Sequence, residues 1–484
     1  MKILFVSSEV SPFAKTGGLA DVAGSLPKAL KKNGHDVRII MPLYQCVETG
    51  SFTIKKSRKG FEVPVGGIIE KGLLRQTTLA DIPVYLVEKK EYFQRPELYG
   101  TSAGDYPDNS RRFGFFCRGV VDLLKRLDFR PDIIHCNDWQ TALIPFLIKQ
   151  EHQDDPFFAK TALVYTIHNL AYQGIFEREA LSSLGLNESH FTIDRLEYYG
   201  KINLMKGGML TADVINTVSS AYCREIQTDE MGCGLQGVLR QRAHDLYGIL
   251  NGIDYQDWNP STDPLIFKNY TSSTLSGKAA NKKNLQNALG LEQNPAIPLL
   301  GMITRLSAQK GLDLLEALLP KFEEQKLQLV LLGTGDEKYM KMLSTLQKKP
   351  SQKLSINLTF DQALSRKIYA ASDMFLMPSH YEPCGLGQLI SFRYGSVPVV
   401  RKTGGLADTV FDSRDGVREP NGFTFDEYTP EAFWETISRA LETYKDRKKW
   451  DRIVRSGMNS DYSWDHSGAE YEALYEKALK KIRV

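Results

Sequence analysis

The heptapeptide Lys-Thr-Gly-Gly-Leu-Ala-Asp occurs twice in this chain, at residues 15–21 and again at 402–408. A β-rich run precedes each copy, Ile-Leu-Phe-Val at 3–6 and Val-Pro-Val-Val at 397–400, and an apolar-periodic segment follows. At such strand–loop–helix joints, glycines let the backbone approach an anion, and the helix start offers unpaired N–H groups. For either copy alone, a tight turn would be the preferred interpretation of the glycine pair. Because both copies share the same Lys and Asp, we favour two phosphate- or sugar-binding corners.

Strand-like runs alternate with helical patterns along both halves of the chain. The predicted strands are 3–7, 37–41, 84–87, 133–136, 162–167 and 214–218 in the first half, and 299–303, 327–332, 354–358, 374–377 and 397–400 in the second. Alternating β and α elements indicate parallel sheets covered by helices on both faces. The predicted fold class is therefore α/β, with two Rossmann-like parallel-sheet domains facing a central cleft.

The length of 484 residues exceeds the usual size of one hydrophobic core, so we expect more than one domain. A short strand, an Asn-Gly turn and a Pro-rich loop at 247–260 form the most plausible joint. We predict an N-terminal domain over 1–246 and a C-terminal domain over 247–461. The helical segment at 462–484 could cap the second domain or cross back onto the first.

The first helix is expected at about 18–32, because apolar residues recur there at helical spacing and Asn33-Gly34 is a suitable C-terminal stop. Pro27 interrupts this pattern, since proline lacks the N–H that a helix interior needs. We therefore expect Pro27 to kink or shorten the helix.

Composition excludes several classes of function. Apolar residues make up 42% and charged residues 25%, and the net charge of +3 gives no electrostatic footprint for nucleic acid or an anionic membrane. No apolar run is long enough to span a bilayer. The N-terminal run is typical of a strand entering a loop rather than of a signal peptide, so we expect a cytoplasmic protein. The six cysteines form no Cys-x-x-Cys pair, and Asp-x-Asp is absent, so we expect no metal.

Polar residues follow many of the predicted strands. In open parallel sheets, ligands bind beyond the carboxyl ends of the strands, so these residues are the candidates for a site. They are Lys15, Asp138 and His168 in the first half, and Arg305, Lys310 and Glu382 in the second, where the segment Gly333-Thr-Gly335 also follows a predicted strand.

Arg305 and Lys310 lie where a predicted strand leads into a helix, in Thr-Arg-Leu-Ser-Ala-Gln-Lys-Gly. Two cations there could hold a diphosphate, each interaction being worth ~4 kcal/mol at ~4 Å and an effective dielectric constant of ~20. If the diphosphate is a leaving group, the same cations stabilise its growing charge. The alternative is a pair of solvated surface cations.

Each remaining candidate has a purely structural alternative. Glu382 could accept sugar hydroxyls or be a solvated loop residue, and His168 could bind a sugar hydroxyl or be a satisfied core residue. Asp138 could bond an acceptor hydroxyl or cap the next helix. Tyr99 could stack on a sugar ring or be an exposed loop residue, whereas Cys384 is expected to pack rather than act as a nucleophile.

Taken together, these motifs resemble those of bacterial glycogen synthase and plant starch synthase, which are retaining glucosyltransferases of the two-Rossmann-domain (GT-B) type. The resemblance covers nearly the whole chain. It rests on Lys-Thr-Gly-Gly-Leu-Ala-Asp at 15–21, His-Cys-Asn-Asp-Trp at 135–139, Thr-Ile-His-Asn-Leu-Ala-Tyr-Gln-Gly at 166–174, Leu-Asn-Gly-Ile-Asp at 250–254, Thr-Arg-Leu-Ser-Ala-Gln-Lys-Gly at 304–311, Glu-Pro-Cys-Gly-Leu at 382–386 and the second Lys-Thr-Gly-Gly-Leu.

The resemblance implies transfer of glucose from ADP-glucose to the 4-hydroxyl at the non-reducing end of an α-1,4-glucan, such as glycogen or a maltooligosaccharide, with retention of configuration. ADP-glucose is then a substrate, and no cofactor is expected. The alternatives are another GT-B glycosyltransferase that uses a UDP-sugar, and a catalytically silent protein that binds glucan or nucleotide sugar. The oligomeric state cannot be inferred.

Carried over to this sequence, the resemblance also assigns site residues. The residues implied in catalysis are Lys15, Asp138, His168, Arg305, Lys310 and Glu382. The residues implied in substrate binding include these six and Gly17, Gly18, Tyr99, Asn169, Gly335, Phe360, Cys384, Gly385, Leu386, Thr403, Gly404, Gly405 and Leu406. Among them, His168 is implied to contact the glucose 6-hydroxyl, and Phe360 to stack on adenine.

The sequence departs from the family pattern at two positions. Ile390 stands where many related retaining transferases carry a second Glu, although glycogen synthases themselves usually lack it. Gly387 stands where a Thr is common in that branch, so the resemblance does not carry over the local contact of that Thr.

Overall fold

A computed structural model describes residues 1–101, 104–348, 351–416 and 419–483. The chain divides into two compact units. Unit 1 comprises Met1–Asn251 and Trp464–Val484, and unit 2 comprises Gly252–Ser463. The sequence-based boundary after residue 246 thus lies five residues before the division that the contacts give.

Unit 1 is built on a large, mainly parallel sheet. The strands of unit 1 are β1 (Lys2–Val6), β2 (Asp36–Pro42), β3 (Lys55–Val65), β4 (Ile68–Leu79), β5 (Ile82–Glu88), β6 (Gly100–Thr101), β7 (Gly104–Asp105), β8 (Ile133–Asn137), β9 (Ala162–Ile167), β10 (Ile175–Phe176), β11 (Glu197–Tyr198), β12 (Lys201–Asn203), β13 (Val214–Thr217) and β14 (Leu246–Gly248). Strands β6 and β7 pair with each other, and β10, β12 and β11 form a separate small sheet. Its helices are α1 (Gly18–Lys32), α2 (Gln45–Glu48), α3 (Lys90–Phe93), α4 (Asn109–Arg126), α5 (Leu143–Glu151), α6 (Ala180–Ser183), α7 (Leu204–Thr211), α8 (Ser220–Glu225) and α9 (Gln236–Gln241), with 3₁₀ turns at Glu188–His190 and Ala243–Asp245.

Within the described part of unit 1, the main sheet has the strand order β14-β13-β9-β8-β1-β2-β5-β4-β3. Strands β14 to β5 run parallel, and β5, β4 and β3 then continue the sheet as antiparallel neighbours. The stretch from β13 to β5 has the doubly wound order of a Rossmann fold. The central strands β1 and β8 are almost fully buried, as strands covered on both faces should be.

The first helix differs from the expectation at one point. α1 ends where predicted, with Asn33 as its C-cap and Gly34 in the left-handed region (φ 89°). However, α1 continues through Pro27 to Lys32, so the prediction that Pro27 would shorten it is wrong. Pro27 is buried with the apolar face of the helix, and this packing holds the chain helical despite the missing N–H group.

Unit 2 is a smaller α/β unit with an all-parallel sheet. Its strands are β15 (Leu299–Ile303), β16 (Gln328–Leu332), β17 (Leu354–Asn357), β18 (Met374–Met377), β19 (Val397–Arg401) and β20 (Phe423–Phe425). Its helices are α10 (Ser276–Ala288), α11 (Leu312–Glu324), α12 (Glu337–Gln347), α13 (Gln362–Ala371), α14 (Gly387–Arg393), α15 (Gly404–Thr409), α16 (Pro430–Lys445) and α17 (Arg447–Asn459), with 3₁₀ turns at Ala308–Lys310 and Ser413–Asp415.

The sheet of unit 2 has the order β17-β16-β15-β18-β19-β20 over the described residues. All its pairs are parallel, which is again the doubly wound order of a Rossmann fold. Every strand predicted from the sequence overlaps an observed strand in one of the two units. The two Rossmann-like units are therefore confirmed, whereas the central cleft stays a prediction.

The C-terminal helix α18 (Trp464–Lys481) belongs to unit 1. Its Tyr475 hydroxyl is 2.8 Å from Nδ1 of His135 on β8, and Nε2 of His135 is 2.6 Å from the Thr166 hydroxyl. Thr166 donates its own proton to the amide oxygen of Asn216 (2.6 Å), so the Thr166 oxygen must accept from His135 Nε2. Nδ1 of His135 therefore accepts a proton from Tyr475, and α18 is joined to the sheet through a fully paired, buried chain of hydrogen bonds.

Removing the hydroxyl with Tyr475→Phe should destabilise unit 1, because Nδ1 of the fully buried His135 would lose its donor. We expect a loss of about 1–3 kcal/mol in the free energy of unfolding, measured by urea denaturation. Tyr199→Phe is the matched control, because the Tyr199 side chain is 80% exposed. Equal stability of Tyr475→Phe and the parent would contradict the proposed chain of hydrogen bonds.

Candidate active site

In a doubly wound sheet, the binding crevice lies where the strand order reverses, beyond the carboxyl ends of the two strands concerned. This point lies between β1 and β8 in unit 1, and between β15 and β18 in unit 2. The loops that leave these strands carry Lys15, Asp138, Lys310 and Glu382. These four sequence-predicted candidates therefore lie at the switch point of their own unit.

The loop after β1 is closed by the buried carboxylate of Glu9. Its Oε2 accepts from the backbone N–H groups of Thr16 (2.5 Å) and Gly17 (3.1 Å), and its Oε1 accepts from the Thr16 hydroxyl (2.6 Å). The Tyr99 hydroxyl donates to the same Oε1 at 2.8 Å and also lies 2.8 Å from the Ser8 hydroxyl. A residue that the sequence analysis missed thus fixes the glycine loop. Its position directly after a buried strand was the available signal.

This arrangement changes what the first heptapeptide offers to a ligand. The N–H groups of Thr16 and Gly17 already bind an anion, namely the carboxylate of Glu9. Lys15 pairs with Asp21 of the same heptapeptide, at 2.6 Å between Nζ and Oδ1, and about two fifths of its side chain stays exposed. A side chain at Gly17 would meet no atom within 4 Å, so packing within unit 1 does not require glycine there. Gly18 begins α1.

Asp138 and His168 lie together after the adjacent strands β8 and β9. The backbone N–H of His168 donates to Oδ1 of Asp138 at 2.7 Å. Asp138 has the left-handed φ of 55°, which is rare for a residue with a side chain. The alternative that Asp138 caps the next helix is wrong, because Ala142 is the N-cap of α5 and the Asp138 carboxylate accepts from His168 instead.

His168 is buried and neutral. Its Nε2 lies 2.9 Å from the amide oxygen of Asn137, whose amide nitrogen donates to the carbonyl of Val6. The Asn137 oxygen must therefore accept, so Nε2 of His168 carries the proton and Nδ1 remains an acceptor. Burial lowers the pKa of His168 to about 3. The neutral His168 can thus accept a hydrogen bond from a hydroxyl group through Nδ1.

Burial also raises the pKa of Asp138, to about 7. The backbone N–H groups of His168 and Asn169 oppose this shift, and the neighbouring Glu9 carboxylate adds to it. Asn169 uses its own side-chain oxygen to accept from the N–H of Ala171 at 3.0 Å.

Tyr99 is half-buried with its ring 5.9 Å from that of Phe113, so the alternative of a merely exposed loop residue is wrong.

In unit 2, Lys310 and Glu382 form an ion pair at the switch point. Nζ of Lys310 donates to Oε2 of Glu382 at 2.6 Å, and the Ser379 hydroxyl donates to the same oxygen at 2.9 Å. The Glu382 side chain is 8% exposed and the Lys310 side chain 19% exposed. Glu382 is therefore not a solvated loop residue, and Lys310 is not a solvated surface cation.

The second heptapeptide packs tightly against the loop that carries Glu382. A Cβ atom on Gly404 would lie 2.0 Å from the Glu382 carbonyl oxygen, and one on Gly405 would lie 2.0 Å from the Cys384 carbonyl oxygen. The N–H of Gly405 donates to the Glu382 carbonyl at 3.1 Å. Lys402 pairs with Asp415 rather than with the Asp of its own heptapeptide. The two identical heptapeptides therefore make different contacts in the two units.

The remaining predicted residues of unit 2 follow its parallel strands. Arg305 is exposed two residues beyond the end of β15, and Gly335 pairs as an isolated bridge with Leu306 in the same loop. Phe360 is 84% exposed after β17, which is an edge strand of the sheet. The others lie in the two packed loops described above, with Cys384, Thr403, Gly404, Gly405 and Leu406 buried, Leu386 half-buried and Gly385 in the left-handed region (φ 74°).

The two departures from the family pattern lie on α14. Ile390 is buried in the apolar core of unit 2, so this position faces packed hydrocarbon rather than a polar site. A Cβ on Gly387 would lie 3.1 Å from the ring of Phe375 and 3.2 Å from the sulfur of Met377, so a larger residue would press on the strand beneath it.

Neither a metal cluster nor a membrane-spanning helix is present among the described residues. No group of three or more His, Cys, Asp or Glu side chains in the described ranges is placed to hold a metal ion. Over the same part of the chain, every helix is too short or too polar to cross a membrane.

Glu9→Ala should destabilise the loop after β1, because it removes the acceptor for two backbone N–H groups and two hydroxyls. We expect the free energy of unfolding to fall by about 1–3 kcal/mol, measured by urea denaturation. Glu9→Gln should retain most of the stability, because the two hydroxyls can accept from its amide. Glu48→Ala, at an exposed position, is the control. A parent-like Glu9→Ala would show that the loop holds its shape without the carboxylate.

Asp138→Asn should change the pH dependence of stability in one direction. The pKa of Asp138 is raised in the folded chain, so its contribution to stability is fully present below about pH 4 and is lost as the pH rises to about 7. The stability of Asp138→Asn relative to the parent should therefore improve from pH 5 to pH 8, as measured by urea denaturation. A difference that stays constant or shrinks over this range would refute the assigned shift.

Comparison with known proteins places the chain in a family. A family model described as starch synthase catalytic domain matches residues 2–241, and one described as glycosyl transferases group 1 matches residues 282–456. The chain is 63% identical to a glycogen synthase of Geotalea daltonii over 99% of both chains. It is 56% identical to glycogen synthase 2 of Geobacter sulfurreducens over 100% of both chains.

Solved structures agree with this assignment. The catalytic domain of starch synthase IV from Arabidopsis thaliana, bound to ADP and acarbose, has a TM-score of 0.92 and 35% identity over 99% of both chains. Sucrose-phosphate synthase from Thermosynechococcus elongatus has a TM-score of 0.62 at 16% identity over 99% of both chains, which shows the shared fold alone. The fold is of the GT-B type, and the chain belongs to the glycogen synthase and starch synthase family of glycosyltransferases.

Proposed function

We propose that the chain is a glycogen (starch) synthase that transfers glucose from ADP-glucose to the non-reducing 4-hydroxyl of an α-1,4-glucan with retention of configuration. Family membership over the whole chain supports the reaction class. The starch synthase IV structure contains ADP and acarbose, which supports an adenine nucleotide as the leaving group and an oligosaccharide as the acceptor. The arrangement of Lys310 and Glu382 at the switch point of unit 2 is the observation that carries the proposal.

Lys310 is suited to bind the diphosphate of the donor. It is held at the end of β15 by Gly311, which is in the left-handed region (φ 69°) and packs against the Pro378 carbonyl so closely that a Cβ would lie 2.0 Å away. Glu382 orients the ammonium group of Lys310, which would turn from this carboxylate towards a phosphate oxygen when the donor binds. With Arg305, it would stabilise the charge that grows on the departing ADP. The backbone around 403–406 would contact the far phosphate.

The polar groups of unit 1 are suited to the sugar and the acceptor. Nδ1 of the neutral His168 can accept a hydrogen bond from the glucose 6-hydroxyl, and the rigid position of its backbone follows from the bond to Asp138. We assign Asp138 and Tyr99 to the acceptor side and Lys15 with its glycines to the phosphate and glucose of the donor. Glu382 would accept hydroxyls of the transferred glucose.

The mechanism we favour is departure of ADP with attack of the acceptor hydroxyl on the same face of the glucose. It needs a stabilised leaving group and a positioned acceptor, both of which the residues above can provide. A double displacement would need a carboxylate on the opposite face of the sugar. Where many related retaining transferases carry a second Glu, this chain has Ile390 inside an apolar core.

The proposal needs no metal and no cofactor, since lysine and arginine side chains can neutralise the diphosphate. We also propose a cytoplasmic location. The proposed partners are ADP-glucose and the glucan, and we propose no binding to nucleic acid or to a membrane.

Incubation of the chain with radiolabelled ADP-glucose and glycogen tests the reaction. We expect the label to enter polymer that amylase releases, and unlabelled ADP-glucose to compete far better than UDP-glucose. Better competition by UDP-glucose would favour a UDP-sugar transferase. Binding of glucan without release of ADP would favour a silent binding protein.

Lys310→Ala should lower kcat much more than it weakens glucan binding, because its charge acts on the leaving diphosphate. The loss should reach about a hundredfold, the scale expected when a charged group that stabilises a transition state is removed. Release of ADP and retardation in a glycogen-containing gel would be measured on the same preparation. Lys326→Ala, at an exposed position of the same unit, is the control. Equal turnover of Lys310→Ala and the parent would count against the phosphate role.

A further inference from the structure

The hairpin of β11 and β12 ends in a strained, exposed aromatic residue. Its two-residue turn is Tyr199-Gly200, with φ angles of 50° and 80°. Positive φ at both positions is typical of a type I′ turn, for which Asn-Gly is the favoured sequence. A bulky Tyr at the first position is strained, and here its side chain is also 80% exposed. Strain that persists without burying the side chain points to a role outside folding.

A second strained residue supports the same hairpin. Cys233 has a φ of 48°, and its carbonyl accepts from the Tyr198 hydroxyl at 2.8 Å. A Cβ on the adjacent Gly234 would lie 2.1 Å from the Tyr198 hydroxyl oxygen, so only glycine allows this approach. The ring of Tyr198 in turn meets the ring of Tyr199 edge-on, at 4.7 Å between centroids. The exposed ring is therefore held in place by its neighbour rather than hanging free.

The hairpin is tied to the loop that carries His168. The buried amide of Gln173 donates to the Cys233 carbonyl (3.0 Å) and to the Leu170 carbonyl (3.0 Å). The Gln173 oxygen accepts from the amide of Asn203, at the end of β12, at 2.6 Å. One side chain thus couples the hairpin to the segment that begins at His168.

Two further exposed apolar side chains lie in this region. Tyr172, in the same loop as Gln173, is 52% exposed, and Ile175, at the start of β10, is 42% exposed. Ile175 pairs with Asn203, four residues along the hairpin from Tyr199, or roughly 14 Å at the rise of a β-strand. This length exceeds one sugar ring. The charged side chains of Lys201, on β12, and Glu177, directly after β10, pair with each other at 2.6 Å. The carboxylate of Glu197 accepts from the backbone N–H of Gly200 in the turn, at 2.8 Å.

We propose that Tyr199, Tyr172 and Ile175 form a binding surface for the acceptor glucan, adjoining His168. The faces of glucose rings carry C–H groups that pack on aromatic and aliphatic side chains, while the hydroxyls at the ring edges stay in water. An exposed surface of aromatic and aliphatic side chains matches this chemistry better than it matches the charged nucleotide. The inference rests on the proposed function, because an α-1,4-glucan is the acceptor there.

The test uses three substitutions of Tyr199 in the full chain. Tyr199→Ala removes the ring, Tyr199→Phe keeps it, and Tyr199→Asn removes it while relieving the strained turn. Ile69→Ala is the matched control, because Ile69 is an exposed apolar residue (61%) on a different hairpin of unit 1. The readouts are retardation in native gels that contain glycogen, KM for maltoheptaose, KM for ADP-glucose and thermal stability.

Tyr199→Ala and Tyr199→Asn should each weaken glycogen binding and raise KM for maltoheptaose by about fivefold, as expected from losing one exposed ring contact. KM for ADP-glucose should not change, and Tyr199→Asn should be at least as stable as the parent. Tyr199→Phe and Ile69→Ala should behave like the parent. This combination separates a loss of glucan contact from a loss of folding.

Unchanged glucan binding in both Tyr199→Ala and Tyr199→Asn would overturn the inference. So would a change in oligomeric state without a change in glucan binding, which would make the surface an interface between copies of the chain. If the parent binds glycogen and Tyr199→Ala does not, but no glucose is transferred from ADP-glucose, the inference holds and the proposed function fails.

Discussion

The candidate site of unit 2 depends on one close contact between two loops. Gly404 and Gly405 lie so near the carbonyl oxygens of Glu382 and Cys384 that any Cβ would come within 2.0 Å of them. This contact fixes the backbone on both sides of the Glu382 side chain, which in turn holds Lys310 at 2.6 Å. A pair of glycines thus positions a cation at the switch point of the sheet. Glycine lets a backbone segment approach another group closely. Here that group is a second backbone segment of the same unit, next to the proposed ligand site.

The first copy of the same heptapeptide is stabilised in another way. Its glycine loop folds around the carboxylate of Glu9, and Lys15 turns to Asp21 within the heptapeptide. The nearby side chains of His168 and Asp138 are polar, and burial disfavours the charged form of both. It keeps His168 neutral and raises the pKa of Asp138. The proposed roles follow from this difference: the cations of unit 2, together with Lys15, act on the phosphates, and the neutral His168 accepts a hydrogen bond from a sugar hydroxyl.

Most of the parallel strands could be predicted from the sequence, because short apolar runs bounded by polar turns define buried parallel strands well. The rule that sites lie beyond strand ends then selected Lys15, Asp138, His168, Lys310 and Glu382. The hairpin of β3 and β4 could not be predicted, because β4 exposes Ile68, Ile69 and Leu73 and buries Glu70, so it lacks the apolar-in, polar-out alternation of a strand.

The contacts between distant segments could not be predicted. Nothing in the local pattern says that Glu9 turns back onto Thr16 and Gly17, or that Tyr475 reaches His135 across some 340 residues. The local helix propensity of Pro27 is overridden by its burial, which the sequence around it does not reveal. The strain at Tyr199 is also invisible in the sequence, where Tyr-Gly gives only a weak turn signal.

The most direct measurement of the central claim is a crystal structure of the chain with ADP. Our account predicts that the diphosphate lies against Lys310 and Arg305 and contacts the backbone of residues 403–406, with the Lys310 ammonium drawn from Glu382 towards a phosphate oxygen. Binding of ADP at another part of unit 2, with the Lys310–Glu382 pair unchanged and remote from the phosphates, would contradict the account.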